Sequence, residues 1–579
     1  MPRLVLAACL LGGMLILMAT GCAGSKPAPT AIEPALDESK FPPHVAGTVA
    51  QYAMLVGGGD LTLRGYGIVV GLGANGSREC PPALRGYLTQ YMLKQKVFSP
   101  SSGTGGLSPA ALLDSLDTAV VELWGRVPPG APAGTTFDVY VRAMPQTQTT
   151  SLDGGYLLPH DMQMSVEGLS GTERQSRVLG KAGGPVFVNP FVDPSNAAEA
   201  PKLREGRIIG GGKLLEDRRV QLQLHQADYA RCDAMARQIN AVFPASRPVA
   251  IAKNSSTVEL DIPRRYRGDY ERFLSLVMHL PVKGGPGAWE AKARQVAQQM
   301  QEPLAEHDEL ALIWEAMGRN NLPILRTFYR CDNPALAYYS ARTGLRLGDA
   351  EALRAVCETA RNAQAGPLQL QAVRELGRCR LHACLPTLYD LLDDSNDLVR
   401  VAACEALIDQ GDRGRLRRLE IGDAKSGLFE LDVVDARSRF MIYASQSQQP
   451  RLLVFGKSLS LPRPLFFNAP GDLVTIDAQH SDSSLTVYRK ILSTGRCSSP
   501  FQVPPDVPSL VEALAGPVEY VSRDRTMGLG LTYGQVVSVL YRLCQSGDLR
   551  AKFVLQPLPE MQRIYLDETT VGRPDTPEM

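Results

Sequence analysis

The spacing of hydrophobic positions along the chain changes several times, and each change marks a new kind of element. Val220-Gln-Leu-Gln-Leu224 alternates apolar and polar residues at period two, which predicts a half-buried strand. Over Asp228–Phe243 the period lengthens and gathers Ala230, Ala234, Ile239 and Val242 on one side, which predicts a helix. Val249–Ala252 and Thr257–Ile262 return to strand character on either side of an Asn254-Ser-Ser256 turn. The sequence here predicts a β-α-β-β unit, within a region from about Pro42 to Val282 that is otherwise strands punctuated by Gly and Pro.

From His307 to Leu419 the pattern is almost wholly helical and repeats: Ala341, Ala372 and Ala403 are 31 residues apart, as are Leu345, Leu376 and Leu407. Leu322-Pro-Ile-Leu325 and Leu385-Pro-Thr-Leu388, two periods apart, are expected to open the second helix of separate repeats. The segment resembles HEAT repeats, most closely over Leu385–Leu407, where the Asp393-Asp-Ser-Asn-Asp397 turn precedes Val399-Arg400 and the small residues Ala402 and Ala403. Small residues there let paired helices stack into a solenoid with an extended face; an irregular helical bundle is the alternative. The acidic turn lacks the spacing and glycine of a calcium loop, so a solvated inter-helix turn is expected. Past Ser426 the strand pattern resumes at Phe429–Val434, Arg451–Phe455, Leu473–Asp477 and Ser484–Tyr488. A helix at Tyr533–Cys544, entered through Thr532 and stopped by Gly547, leads into a strand at Leu549–Leu555.

The predicted fold class is α+β multidomain, with β-rich domains that include the β-α-β-β unit, interrupted by an α-solenoid segment. Its divisions are a signal peptide at 1–21, a tether at 22–43, a β-rich region at 44–285, a connector at 286–306, the helical repeats at 307–419, a second β-rich region at 420–500, a C-terminal helix and strand at 501–556, and a tail at 557–579. The first of these rests on Arg3, the apolar run Leu4–Met18 and the small residues Ala19-Thr20-Gly21. The three residues before Cys22 resemble a bacterial lipobox, which implies a diacylated Cys22 and tethering to the outer membrane; an ordinary signal peptide with an incidental cysteine is the alternative.

Composition narrows the function. With 61 Lys+Arg against 60 Asp+Glu in 579 residues, the chain has no global field to draw it onto nucleic acid. Of the 11 cysteines, Cys9 leaves with the signal and Cys22 would carry lipid, so an odd number of thiols remains and no complete disulfide framework can be assigned. Cys379-Arg-Leu-His382-Ala-Cys384 has no fourth ligand at a zinc spacing. Gly71-Leu-Gly-Ala-Asn-Gly76 is formally a dinucleotide fingerprint, but Cys80-Pro-Pro82 stands where its helix should begin and no acidic residue ends a strand about 20 residues on. Gly210-Gly-Gly-Lys213 lacks both the first glycine and the Ser/Thr of a phosphate loop. With seven scattered histidines and no GxSxG or HExxH, no catalytic residue, cofactor or metal site is assigned, and the chain is not read as an enzyme.

Taken in order, several segments resemble the flagellar P-ring protein family. They are Leu63-Arg-Gly-Tyr-Gly-Ile-Val-Val-Gly-Leu-Gly-Ala-Asn-Gly76, Ala119–Leu123, Pro128-Pro-Gly130, Thr136–Val141, and above all Ser151-Leu-Asp-Gly-Gly-Tyr-Leu-Leu158. Gly210–Gly212, Ala236–Asn240, Leu531–Leu540 and Gly547–Lys552 continue the likeness, so that similar blocks cover about half of the chain on both sides of the helical region. The resemblance implies a structural part of the flagellar basal body, a homo-oligomeric periplasmic ring around the rod that works with the L-ring protein as a bushing. The helical insertion would then be a docking site for peptidoglycan or another envelope protein. Lipid on Cys22 and the insertion both depart from the family pattern, and the alternative is a non-flagellar outer-membrane lipoprotein scaffold.

Overall fold

The computed structural model describes residues 41–57, 59–95, 108–164, 177–192, 196–282, 286–302, 304–423, 427–469, 472–490, 497–517 and 528–557. The segments read as signal peptide and tether, Cys22 among them, and nearly all of the expected C-terminal tail lie outside the described residues.

A short helix α1 (Val49–Tyr52) runs into β1 (Ala53–Val56), after which the chain enters its longest strands. These are β2 (Leu61–Val70), β3 (Thr118–Val127), β4 (Thr136–Ala143), β5 (Tyr156–Met164), β6 (Val178–Pro185) and β7 (Glu205–Leu214). They close a barrel in the order β2-β3-β4-β7-β6-β5, with every neighbouring pair antiparallel. In β4 alternate residues face inward, so that Phe137, Val139, Val141 and Ala143 join the barrel core. Two helices, α2 (Pro82–Lys94) and α3 (Pro109–Leu113), cover Ile68, Val120 and Leu158 from outside. α2 begins at Pro82, where a ring with fixed φ and no N–H suits a first helical turn.

The β-α-β-β unit is present as β8 (Val220–Leu224), α4 (Tyr229–Val242), β9 (Ala250–Ala252) and β10 (Thr257–Leu260). Its sheet is antiparallel with order β1-β8-β10-β9, so β1, from 160 residues earlier in the chain, completes one edge. The helix face differs from the expected one. Cys232, Met235, Ala236 and Ile239 are buried, a true i, i+3, i+4, i+7 stripe, whereas Ala230 is exposed and Ala234 and Val242 sit at the margin. A further helix, α5 (Tyr270–Met278), contributes Phe273, Leu274 and Val277 to the same core.

Helices α6 (Pro286–Gln299), α7 (His307–Ala316), α8 (Leu322–Arg326), α9 (Pro334–Arg346), α10 (Leu353–Arg361), α11 (Pro367–Arg378), α12 (Leu385–Leu391) and α13 (Asp397–Asp409) share one core. The periodic residues explain the packing: Ala341, Ala372 and Ala403 are fully buried on the successive long helices α9, α11 and α13. Both Leu-Pro segments open short helices, α8 and α12, with proline in the first turn. Residues 286–299, within the stretch read as a helical connector, form a helix whose Ala293, Val296 and Ala297 belong to this core.

Then β11 (Leu416–Ile421), β12 (Phe429–Val434), β13 (Met441–Ala444) and β14 (Arg451–Phe455) lead to β15 (Leu465–Asn468), β16 (Val474–Ala478), β17 (Leu485–Arg489) and β18 (Phe501–Val503). Helices α14 (Val507–Ala515) and α15 (Tyr533–Ser546) and the strand β19 (Lys552–Leu555) complete the fold. One mixed sheet has order β11-β12-β14-β13-β19 and a second, antiparallel, has order β15-β16-β17-β18. Both sheets and both helices contribute to a single core, so residues 420–500 and 501–556 fold as one body. α15 starts where the sequence predicts. Thr532 accepts from the Gln535 amide, Gln535 returns the bond to the Thr532 N–H, and Gly547 ends the helix at φ +84°.

Candidate assembly surfaces

The two Gly-containing runs that carry the resemblance meet at one end of the barrel. β2 delivers Gly71–Gly76 to its exit loop, and the chain segment before β5 delivers Ser151–Leu158 beside it. The Thr150 amide donates to the Asn75 carbonyl at 2.8 Å, and a Cβ on Gly155 would strike Val69 and Leu72. The amides of the fingerprint-like loop are already engaged: Gly73 N–H donates to Asp117 Oδ1 at 2.7 Å and Gly71 N–H to Oδ2 at 3.3 Å. The chain's own carboxylate thus occupies the position a pyrophosphate would need, which supplies the physical reason the dinucleotide pattern fails.

The third run, at the start of α15, docks on the same place from across the helical region. Gly154 has φ +72° and lies so close to Gln535 that a Cβ there would overlap its side-chain amide. Around this junction Phe187 tilts against Tyr533 at 5.9 Å, Phe191 meets Tyr541 edge-on at 4.4 Å, and Arg207 donates to the Gln446 carbonyl at 3.0 Å. Asp138 accepts from the amides of both Gly210, at 2.7 Å, and Gln448, at 3.1 Å, which sews the barrel to the C-terminal body.

The helical region is clamped at both ends. At its start, Arg272 of α5 pairs with Glu315 of α7, and the charge chain continues from Glu315 to Arg346 at 3.1 Å and from Arg346 to Glu375 at 2.7 Å. These three partners on α7, α9 and α11 are nearly fully buried, so the ladder ties consecutive long helices together across their stacking axis. At its end, the acidic turn is not simply solvated. Asp393 accepts from the amides of Arg437 and Ser438 at 2.7 and 2.8 Å, and Asp397 pairs with Arg439 at 3.0 Å and Lys552 at 2.5 Å. The fully buried Arg400 lies over the Phe455 ring at 4.6 Å and donates to the carbonyls of Leu392 and Arg439. The turn's charges are therefore spent on a clasp to the C-terminal body, a role its local sequence does not reveal.

One surface stands out as unpaired. Among the described residues the sheet β1-β8-β10-β9 is covered by helices on one face, and its other face presents the cross-strand rows Met54-Gln223-Thr257 and Val56-Gln221-Glu259-Ile251. Met54, Val56 and Ile251 are exposed, and Lys253 pairs with Glu259 at 2.6 Å beside them. Among the described residues β1 and β9 each have a single strand neighbour, which leaves two free sheet edges.

Away from these surfaces, a partly open recess of about 110 Å³ lies between Ile408, Leu416 and Asp432, and a shallow groove of about 630 Å³ runs beside the exposed Phe466 and His480. Cys379 and Cys384 share a hydrogen bond at 3.9 Å, which pulls the Cys379 thiol down to about 7 and pushes Cys384 up, while His382 points to solvent between them. No helix in the described residues is long and apolar enough to cross a membrane.

Against known proteins, residues 49–291 match the family model described as flagellar P-ring protein. A flagellar P-ring protein of Nitratidesulfovibrio vulgaris is 30% identical over 239 residues, covering 38% of this chain and 58% of the relative. One of Rhizobium etli strain CIAT 652 is 27% identical over 247 residues, covering 41% and 61%. One of Anaeromyxobacter dehalogenans is 29% identical over 293 residues, covering 48% of this chain and 70% of the relative. The chain thus spans about three fifths of the length of the first two relatives.

Proposed function

Because residues 49–291 match the family model of the flagellar P-ring protein, we propose that this chain is a structural subunit of the flagellar basal body. Copies assemble head to tail into a closed P ring around the rod and act with the L-ring protein as a bushing for rotation. The observation that carries this reading is the junction of Gly71–Gly76, Ser151–Leu158 and Leu531–Leu540 at one barrel end. Three segments with a family likeness form one body although some 370 residues separate the second from the third, so the helical region is an insertion that leaves the ring-forming body whole.

The open face and free edges of the β1-β8-β10-β9 sheet supply the contact between subunits. A half-polar sheet face with three exposed apolar residues suits an interface that must also be soluble before assembly. No chemistry is required of such a bearing, in keeping with a family that is not one of enzymes. Lipid on Cys22 would hold the ring at the outer membrane, and the helical region, read as a HEAT-like stack, forms a projecting collar that binds peptidoglycan or another envelope protein.

The test is an epitope-tagged copy followed into purified hook–basal bodies, with the same particles imaged from a deletion strain. Enrichment of the tag and loss of the ring nearest the peptidoglycan are the expected results. Rings that persist without the protein, and particles that lack the tag, would overturn the reading.

A further inference from the structure

We infer that His44, Glu306 and Glu309 form a binding site for one divalent transition-metal cation of the zinc class. The three side chains come from opposite ends of the first half of the chain. His44 lies in the short turn Pro43–Val45, while Glu306 is the N-cap of α7 and Glu309 lies one turn further along the same face. One ligand atom from each falls within 4.8 Å of the other two. Donors around zinc stand about 2.0–2.2 Å from the metal, a spacing that rotation of the exposed Glu306 side chain toward the other two brings within reach.

A second, independent feature points to the ligand. His44 is only 8% exposed, and its Nε2 is buried with no hydrogen-bond partner. A buried imidazole nitrogen without a partner, facing two carboxylates, is left unsatisfied by the protein alone and satisfied by a cation placed between them. His279 supports the arrangement from behind: its ring nitrogens lie 2.7 Å from the Ser275 carbonyl and 2.7 Å from Glu309 Oε2, which fixes that carboxylate in place. The neighbouring ammonium of Lys292 is turned to the backbone carbonyls of His44 and Ala46, at 3.3 and 2.9 Å. An imidazole among carboxylates selects zinc-like ions over calcium or magnesium, which prefer oxygen alone. Glu306 is exposed, so the site opens to solvent on that side and has room for water as a fourth ligand.

The bound ion would join the segment at residues 42–49, which already hydrogen-bonds to Leu280 and Val282, directly to α7. This goes beyond the proposed ring function and does not depend on it.

The test uses the purified full-length chain, dialysed against micromolar zinc and then against metal-free buffer. Wild type is expected to retain one equivalent per chain, and His44→Ala and Glu306→Gln to retain none, while a Cys379→Ser/Cys384→Ser variant keeps its metal. Cobalt in place of zinc should give visible d–d absorption without the charge-transfer band of a thiolate ligand. Glu306 is exposed, so its variant folds even where loss of His44 does not. In chelator its unfolding midpoint should equal that of wild type, and zinc should raise the midpoint of wild type alone. No retained metal in wild type, retention by both the His44 and Glu306 variants, or loss confined to the cysteine variant would each overturn the assignment.

Discussion

Gly154 shows how much one residue can hold. Its positive φ and its contact with Gln535 leave no room for a side chain, so Gly154→Ala is expected to cost about 1–3 kcal/mol from strain and displacement of the α15 cap, read as a lower urea midpoint. Asp349 gives a pH-dependent case. Arg326 holds its carboxyl below the usual range through bonds of 2.9 and 3.0 Å, and the Tyr329 hydroxyl adds one at 2.8 Å. Its folded value lies below its unfolded value, so the stabilisation is complete above the ordinary carboxylate range near 3.9 and is lost as pH falls through the folded value. Wild type should therefore exceed Asp349→Asn in unfolding midpoint at pH 7, with the gap closing steadily below about pH 4. At this scale the sequence is legible only where a residue type acts locally. The failure of Gly71–Gly76 as a nucleotide loop could be read from Pro81-Pro82, but the carboxylate that fills it, Asp117, is set by strand pairing. His44 looked like one scattered histidine because its partners lie some 260 residues away, and only the fold brings them together.

At the scale of elements, the signals that proved readable are those whose physics is complete within a dozen residues. Thr532 as N-cap and Gly547 as stop define α15 from sequence alone, and the structure adds Gln535 to complete a capping box; Thr532→Ala is expected to cost about 1 kcal/mol in a urea titration. The alternation in Val220–Leu224 likewise needs only its own pleat. The buried face of α4 was harder, because several stripes of a short mixed helix are apolar enough and the sheet beneath chooses among them. Nor could the charge ladder of the insertion be read, since Glu315, Arg346 and Glu375 meet only when α7, α9 and α11 stack. Replacing Arg346 by leucine strands buried Glu375 and weakens the hold on Glu315, and a loss of about 3–5 kcal/mol is expected. The Arg346→Leu/Glu375→Leu double variant should recover much of it, and a double-mutant cycle would measure the coupling. Ala372→Leu is a separate check on stacking: at a fully buried position between long helices, overpacking should cost about 1–3 kcal/mol.

For the whole molecule, the period of 31 announced the run of helices, and the Gly-containing runs announced turns on the barrel that precedes it. What neither gave is the manner of joining. Its docking depends on Asp393, Asp397 and Arg400 at one end and Arg272 at the other, polar residues whose partners lie in other parts of the chain. If the helical region is dispensable to the ring body, a chain with residues 308–412 removed, which spares β11, and the ends rejoined should still enter basal bodies while losing any partner bound through the collar. Failure of the folded deletion variant to assemble would assign the insertion to the ring itself. The long-range closure has one more consequence. Phe187 and Arg207 hold Tyr533 and Gln446 across the whole insertion, so a single protease cut within the helices would separate two polypeptides that remain one particle. On a sizing column the nicked protein should elute as if uncut, and its two fragments should part only in denaturant.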